Sequence, residues 1–160
     1  MDMPRRSDCD GRLPNAMCEA ARAILEEAGP GVVGLRETAR RAGISPEAAY
    51  RYFTNKDDLL ASVAAEGFRE LAAAMETGAT GSDPFTGVSL AYFDFALQKR
   101  GLFRLMFGPI LVGRTKYPEL NEAAGVVFDL IQRVAVSDGS ANEDNAAGMA
   151  AGGRVMAYLS

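Results

Sequence analysis

Apolar residues recur along this chain at spacings of three and four rather than two. From Pro14 to Ala28, residues Met17, Ala21, Ile24, Leu25 and Ala28 fall on one face, as in an amphipathic helix. Gly29-Pro30-Gly31 stops that helix. A short helix over Leu35 to Ala42 ends at Gly43, a residue suited to the left-handed conformation that closes a helix, and Ile44 follows as an apolar anchor. Ser45-Pro46 reads as an N-cap followed by proline in the first turn, which predicts a third helix from Pro46 to about Phe53. Thr54-Asn55 breaks it, and Asn55 can cap a long fourth helix over about Lys56 to Thr77. In that helix Leu60, Val63, Ala64, Gly67, Phe68, Leu71 and Met75 form one apolar stripe. Gly78 to Pro84 is the clearest linker. Beyond it, Phe85, Val88, Tyr92, Phe95 and Ala96 mark a fifth helix ending near Lys99-Arg100-Gly101. Leu102 to Phe107 is a dense apolar knot closed by Gly108-Pro109. Helical patterning returns over Pro118 to Val136 and, weakened by Gly148, Gly152 and Gly153, over Ala141 to Leu159. The expected fold is all-α, with about eight helices and no strands.

Composition narrows the chemistry. The chain has 160 residues, 48 % apolar and 24 % charged, which suits a globular fold of one or two small domains and argues against a disordered tail. The charges are scattered, so no apolar run is long enough to span a membrane. There is no His and no Trp. Histidine acid–base catalysis, Ser-His-Asp triads and His-ligated metals are thereby excluded. No nucleophile is spaced with a base, and no Gly-rich phosphate loop is present. Asp57-Asp58 sit at a helix start, where acidic side chains are simply stabilising. Asp94, Glu119, Glu122 and Asp129 show no metal or catalytic spacing. No catalytic residue, metal or cofactor is assigned, and the expectation is a protein that is not an enzyme. Residues 1–14 lack the apolar core of a secretory signal, so a cytoplasmic, reducing location is expected. Cys9 and Cys18 are accordingly read as thiols, one in a tail and one on a helix, with a redox pair as the alternative.

The net charge of −4 speaks against nucleic acid on average. The average conceals an asymmetry. Between Val33 and Lys56 lie Arg36, Arg40, Arg41, Arg51 and Lys56 against Glu37 and Glu47, a net +3 that leaves −7 elsewhere. Two short helices joined by a glycine turn in this stretch form a helix-turn-helix, whose second helix enters the DNA major groove. Ala39 is small where the helices cross, and Ala48 and Ala49 keep the reading helix slim. Tyr50 and Tyr52 offer hydroxyls to phosphates, and phosphate contacts set register. Lys56 at a helix N-terminus is unfavourable for the helix dipole, a cost offset when the lysine and the free amides share an anion. Arg36 can reach phosphate or a groove edge. Arg40 and Arg41 divide between solvent and phosphate. Glu47 either accepts from a cytosine amino group or favours its helix start.

The block Arg36 to Leu60, RETARRAGISPEAAYRYFTNKDDLL, preceded by a helix ending in Glu26-Glu27-Ala28-Gly29, resembles the tetracycline-repressor-like (TetR-type) transcriptional regulators. Tyr50-Arg51-Tyr52-Phe53-Thr54-Asn55-Lys56 matches a run far more specific than a generic helix-turn-helix. The resemblance is good over Asn15 to Phe68. It implies a DNA-binding domain over 14–56, a connecting helix over 56–77, and a helical ligand-binding and dimerisation domain over 84–160. By that resemblance Ser45, Pro46, Glu47, Ala48, Tyr50, Arg51, Tyr52 and Lys56 face DNA, with Arg36 on the preceding helix. Double-stranded operator DNA, probed as an inverted repeat by a homodimer, is the implied partner.

A weaker resemblance links AYFDFALQKRGLFRLMFGP and the following YPEL to the effector domain of one TetR-type subgroup, marked by a Trp and a His-Gly pair on its penultimate helix. Here that region reads AAGGRVMAYLS, without either mark, and the chain stops where that helix ends. A final helix is therefore expected to be missing, which puts the dimer interface in question. Tyr92, Phe95, Phe103, Met106, Phe107, Phe128 and Met149 are the candidate lining of an effector cavity, each taken singly being ordinary core. The expected function is a DNA-binding repressor released by a small apolar effector. The alternatives are an effector-independent regulator with a degenerate second domain, and a helical small-molecule carrier.

Overall fold

In the computed structural model, described over residues 12–137, the chain forms α1 (Arg12–Ala28), a 3-10 turn (Pro30–Val32), α2 (Leu35–Ala42), α3 (Pro46–Tyr52), α4 (Lys56–Gly78), α5 (Pro84–Gln98), α6 (Arg100–Met106), the single-turn α7 (Pro109–Val112), a second 3-10 turn (Arg114–Lys116) and α8 (Pro118–Ser137). The described residues contain no strand. The expected helix over Ala141 to Leu159 lies outside them.

The starts and stops follow local chemistry. Ser45 caps α3, its hydroxyl accepting from the Ala48 amide at 3.2 Å. Asn55 caps α4, accepting from Asp58 N at 2.9 Å, while the Asp58 carboxylate accepts from Thr54 N at 3.0 Å. That reciprocal pair satisfies two amides the helix cannot. At the end of α2, Gly43 has φ 68°, and the Ile44 amide donates back to Ala39 O at 2.9 Å. This is the 6→1 bond of a Schellman ending, which needs a residue at ease in the left-handed region.

Helix α4 is the spine. Its expected stripe is buried, and so are Leu59, Ala61, Ser62, Ala65 and Ala72 from other faces. It packs on α1, α5, α6 and α8. A helix buried on nearly all sides carries weak amphipathic periodicity, so the sequence showed only part of its apolar surface. One apolar cluster runs unbroken from Met17 in α1 to Ile131 in α8. The Gly78–Pro84 run is the corner between α4 and α5, with Asp83 capping α5 through Thr86 N at 3.1 Å. Gly78 and Gly87 meet there backbone to backbone, and a Cβ on either would strike the other's carbonyl group.

The apolar knot of Leu102 to Phe107 proves largely helical, as α6. No nearby side chain caps it. Instead the carboxylate of Glu26, on α1, accepts from the amides of Gly101 and Leu102, each at 3.0 Å. Gly101 lies so close to Leu25 that a Cβ would meet the Leu25 carbonyl.

The cysteine expectation is overturned. Cys18 is fully buried on α1 and disulfide-bonded. The sequence has one other cysteine, Cys9, outside the described residues. The expectation follows from a reducing compartment, which carries no information about the surroundings of the Cys18 sulfur.

Candidate nucleic-acid interface

Helices α1, α2 and α3 pack through small and apolar side chains: Leu35, Thr38 and Ala39 from α2, Ala49 and Phe53 from α3 and its end. Thr38 is buried without cost to its hydroxyl, which donates to Gly34 O at 2.7 Å. With Ala49 and Phe53 turned inward, the other side of α3 faces out. Glu47, Tyr50 and Arg51 are exposed there, Ala48 is half-buried, and Ser45 and Pro46 open the helix at the same surface. Arg36 on α2 and Lys56 at the first position of α4 are also exposed. Tyr52 is half-buried against the core, so it differs from Tyr50, which is 49 % exposed.

The five basic residues of this stretch are not equivalent. Arg40 grips Glu37 with two bonds, Nε to Oε2 at 2.9 Å and Nη2 to Oε1 at 2.7 Å. Arg41 reaches the same carboxylate at 3.3 Å and Glu27 of α1 at 2.9 Å. The hydrogen bonds from Arg40, then Arg41, hold the Glu37 carboxyl down at about 2. Arg41 likewise lowers Glu27. Arg36, Arg51 and Lys56 make no ion pair with any described residue. The uncompensated positive charge of the helix-turn-helix is therefore these three side chains, with Tyr50 beside them in sequence.

The candidate effector residues divide. Tyr92 is 1 % exposed, and its ring stands edge-on to Phe103 at 5.5 Å and Phe107 at 5.9 Å. Phe103 and Phe107 lie 4.5 Å apart. Phe68, from α4, joins Phe107 at 5.3 Å to Phe128 at 6.4 Å. Phe68 was legible only as a stripe residue, because nothing in its spacing says which helices it meets. Met106 is buried against Gly67 of α4. Phe95 stands apart, its ring under the Lys99 ammonium at 5.2 Å. Met149 lies outside the described residues. The Tyr92 hydroxyl is buried with no hydrogen-bond partner among the described residues, and burial pushes its pKa up to about 12.

Ion pairs also tie the first helix to the second region. Glu70 of α4 accepts from Arg22 of α1 and from Lys99 after α5, both at 2.5 Å. Burial raises the Glu70 carboxyl, but the two hydrogen bonds outweigh it and the net shift is downward.

Residues 18–63 match the family model described as bacterial regulatory proteins, tetR family. A solved protein of unknown function from Rhodococcus sp. RHA1 shares 30 % identity with the chain, over 82 % of this chain and 70 % of that one, with a TM-score of 0.67. The fatty acid degradation regulator FadR from Bacillus halodurans superposes with a TM-score of 0.59 at 16 % identity, over 86 % of this chain and 69 % of that one. The latter likeness is one of fold. No curated protein matches the sequence.

Proposed function

The chain belongs to the tetR family of bacterial regulatory proteins, as a DNA-binding transcriptional regulator, and from that premise we propose that it is a repressor released from its operator by a small apolar effector. We take residues 14–56 as the reading unit, α4 as the connection and residues from 84 onward as the effector region. Helix α3 enters the major groove, with Ser45, Pro46, Glu47, Ala48, Tyr50 and Arg51 toward the DNA. Arg36, Tyr52 and Lys56 hold the flanking phosphates. A homodimer presents two such helices to an inverted repeat whose half-sites are about 34–36 Å apart, or a multiple of that.

The observation that carries this reading is the separation of the basic residues. Those turned to the outer face lack internal partners, while Arg40 and Arg41 are neutralised by Glu37 and Glu27. The effector half is supported by the Tyr92 hydroxyl, buried with no hydrogen-bond partner among the described residues and beside an aromatic cluster. Such a group costs stability until something accepts its hydrogen bond. An effector with an apolar body and one acceptor would be bound there, and it shifts the protein away from DNA only through its greater affinity for the non-binding conformer.

Selection from random duplex DNA with the purified chain tests the first half. Enrichment of an inverted repeat, lost in Tyr50→Ala/Lys56→Ala, is expected. A lone half-site would overturn the dimer, and undiminished affinity in the double variant would overturn the site. Tyr92→Phe tests the second half. It should leave the unliganded protein as stable or about 1 kcal/mol more stable while weakening effector release.

A further inference from the structure

A cavity opens away from the aromatic cluster, at the joint between the reading unit and the effector region. Its volume is about 460 Å³, within the range of small-molecule sites. One wall is Pro30 and Gly31 with the start of α4. The other is the end of α6, α7 and the turn that follows it. None of its lining belongs to the Tyr92–Phe128 cluster. Its floor is apolar, built from Leu60, Leu105 and Ile110.

Its rim is cationic. Lys56, Arg104 and Lys116 line it against the single carboxylate of Asp57. None of the three makes an ion pair or side-chain hydrogen bond with any described residue. This is unusual within the molecule, where Arg22, Arg40, Arg41 and Lys99 all hold carboxylates. Cations around a concave, low-dielectric wall concentrate positive potential and draw in anions. The first amides of α4 add to the same field, since the Asn55 and Asp58 side chains leave those of Lys56 and Asp57 untouched. Tyr117 also lines the cavity; burial, then the charges of Asp57 and Asp58, raise its pKa further, and its phenol can donate a hydrogen bond.

We propose that this joint cavity binds a small organic anion, an apolar body on the Leu60–Leu105–Ile110 floor with a carboxylate or phosphate head held by Arg104, Lys116 and Lys56. The occupied cavity engages Lys56 and fastens the start of α4 to the effector region, so the anion opposes DNA binding. The opposition rests on the reading of Lys56 as a DNA contact given above. The binding does not.

The test is an amide chemical-shift titration of the DNA-free, full chain with octanoate, octyl phosphate and 1-octanol. Shifts at Gly31, Lys56, Leu60, Ile110 and Tyr117 are expected with both anions, at least about tenfold tighter than with the alcohol. The tighter of the two anions identifies the head. Arg104→Gln/Lys116→Gln, at two exposed positions, should lose that preference with an unchanged melting temperature. Equal affinity for octanol, unchanged binding by the double variant, or shifts confined to the Tyr92–Phe128 cluster would overturn the site. In a second arm, the preferred anion should weaken DNA binding by the wild type and leave the double variant indifferent. An unaffected wild type would overturn the opposition. If the double variant loses DNA affinity with no anion present, Arg104 and Lys116 are themselves DNA contacts and the proposed opposition through Lys56 is overturned. Failure of the DNA reading itself would leave the DNA-free titration standing.

Discussion

The reading unit and the region behind it are built by different rules. In α2, α3 and the start of α4 nearly every structural decision is made by a neighbour three to five residues away: Ser45 to Ala48, Asn55 to Asp58, Ile44 to Ala39. In α6 the decision is made by Glu26, 75 residues from Gly101. The first region exposes Arg36, Arg51 and Lys56 and pairs Arg40 and Arg41 with carboxylates. The second packs aromatic rings from four helices around Tyr92, whose hydroxyl has no partner among the described residues. A locally specified unit keeps its shape while its surface changes, which suits a surface that reads sequence. A region held by distant contacts can be altered by whatever enters between them.

Substitutions can break this contrast or sharpen it. The largest effect is expected at Phe68→Ala, where a fully buried ring bridges Phe107 and Phe128. Urea unfolding should show a loss of about 3–5 kcal/mol. Gly101→Ala follows, at about 1–3 kcal/mol, because its methyl would meet the Leu25 carbonyl, a backbone atom that cannot swing away. A melting temperature equal to wild type would show that α1 and α6 are not rigidly joined. Ser45→Ala removes one local cap and should cost about 1 kcal/mol, with a larger proportional loss of DNA affinity than Gly101→Ala, since it frays the reading helix itself. A Ser45→Ala defect in effector response with intact DNA affinity would contradict the division.

The smallest effect concerns acid. Glu70 has a carboxyl lowered in the folded state, so its contribution is complete above the ordinary value of 4.5 and fades as pH falls through the lower folded value. Its side chain is 38 % exposed, which limits the effect to about 1 kcal/mol or less. Glu70→Gln should be less stable than wild type at neutral pH, and the gap should close on acidification. A constant gap would mean that packing, not charge, accounts for it.

How legible each part was in the sequence follows from the same contrast. Gly43, Ser45-Pro46 and Asn55 announced the ends of α2, α3 and α4 because caps act within one turn. The helical class followed from spacing alone. Helix α6 read as a knot because its cap comes from α1, and no local pattern records a partner so distant. Phe68 was visible as apolar but not as a bridge. The basic stretch was visible as charge, yet the silencing of Arg41 depends on Glu27, on another helix. Arg104 and Lys116 carried no signal at all, since their meaning lies in facing Lys56 across a cavity.

The Glu37 and Glu27 pairs have a consequence in counterions. A cation already seated on a carboxylate has none of the DNA's condensed ions to displace. On the proposed reading Arg36, Arg51 and Lys56 would remain to do so in each protomer, about six side chains in a dimer, and the logarithm of the affinity should fall against that of the salt concentration with a slope of about −5. Had Arg40 and Arg41 also been open, the slope would be about −9. On that reading the pairing sets how steeply the protein's grip on DNA depends on the ionic strength around it.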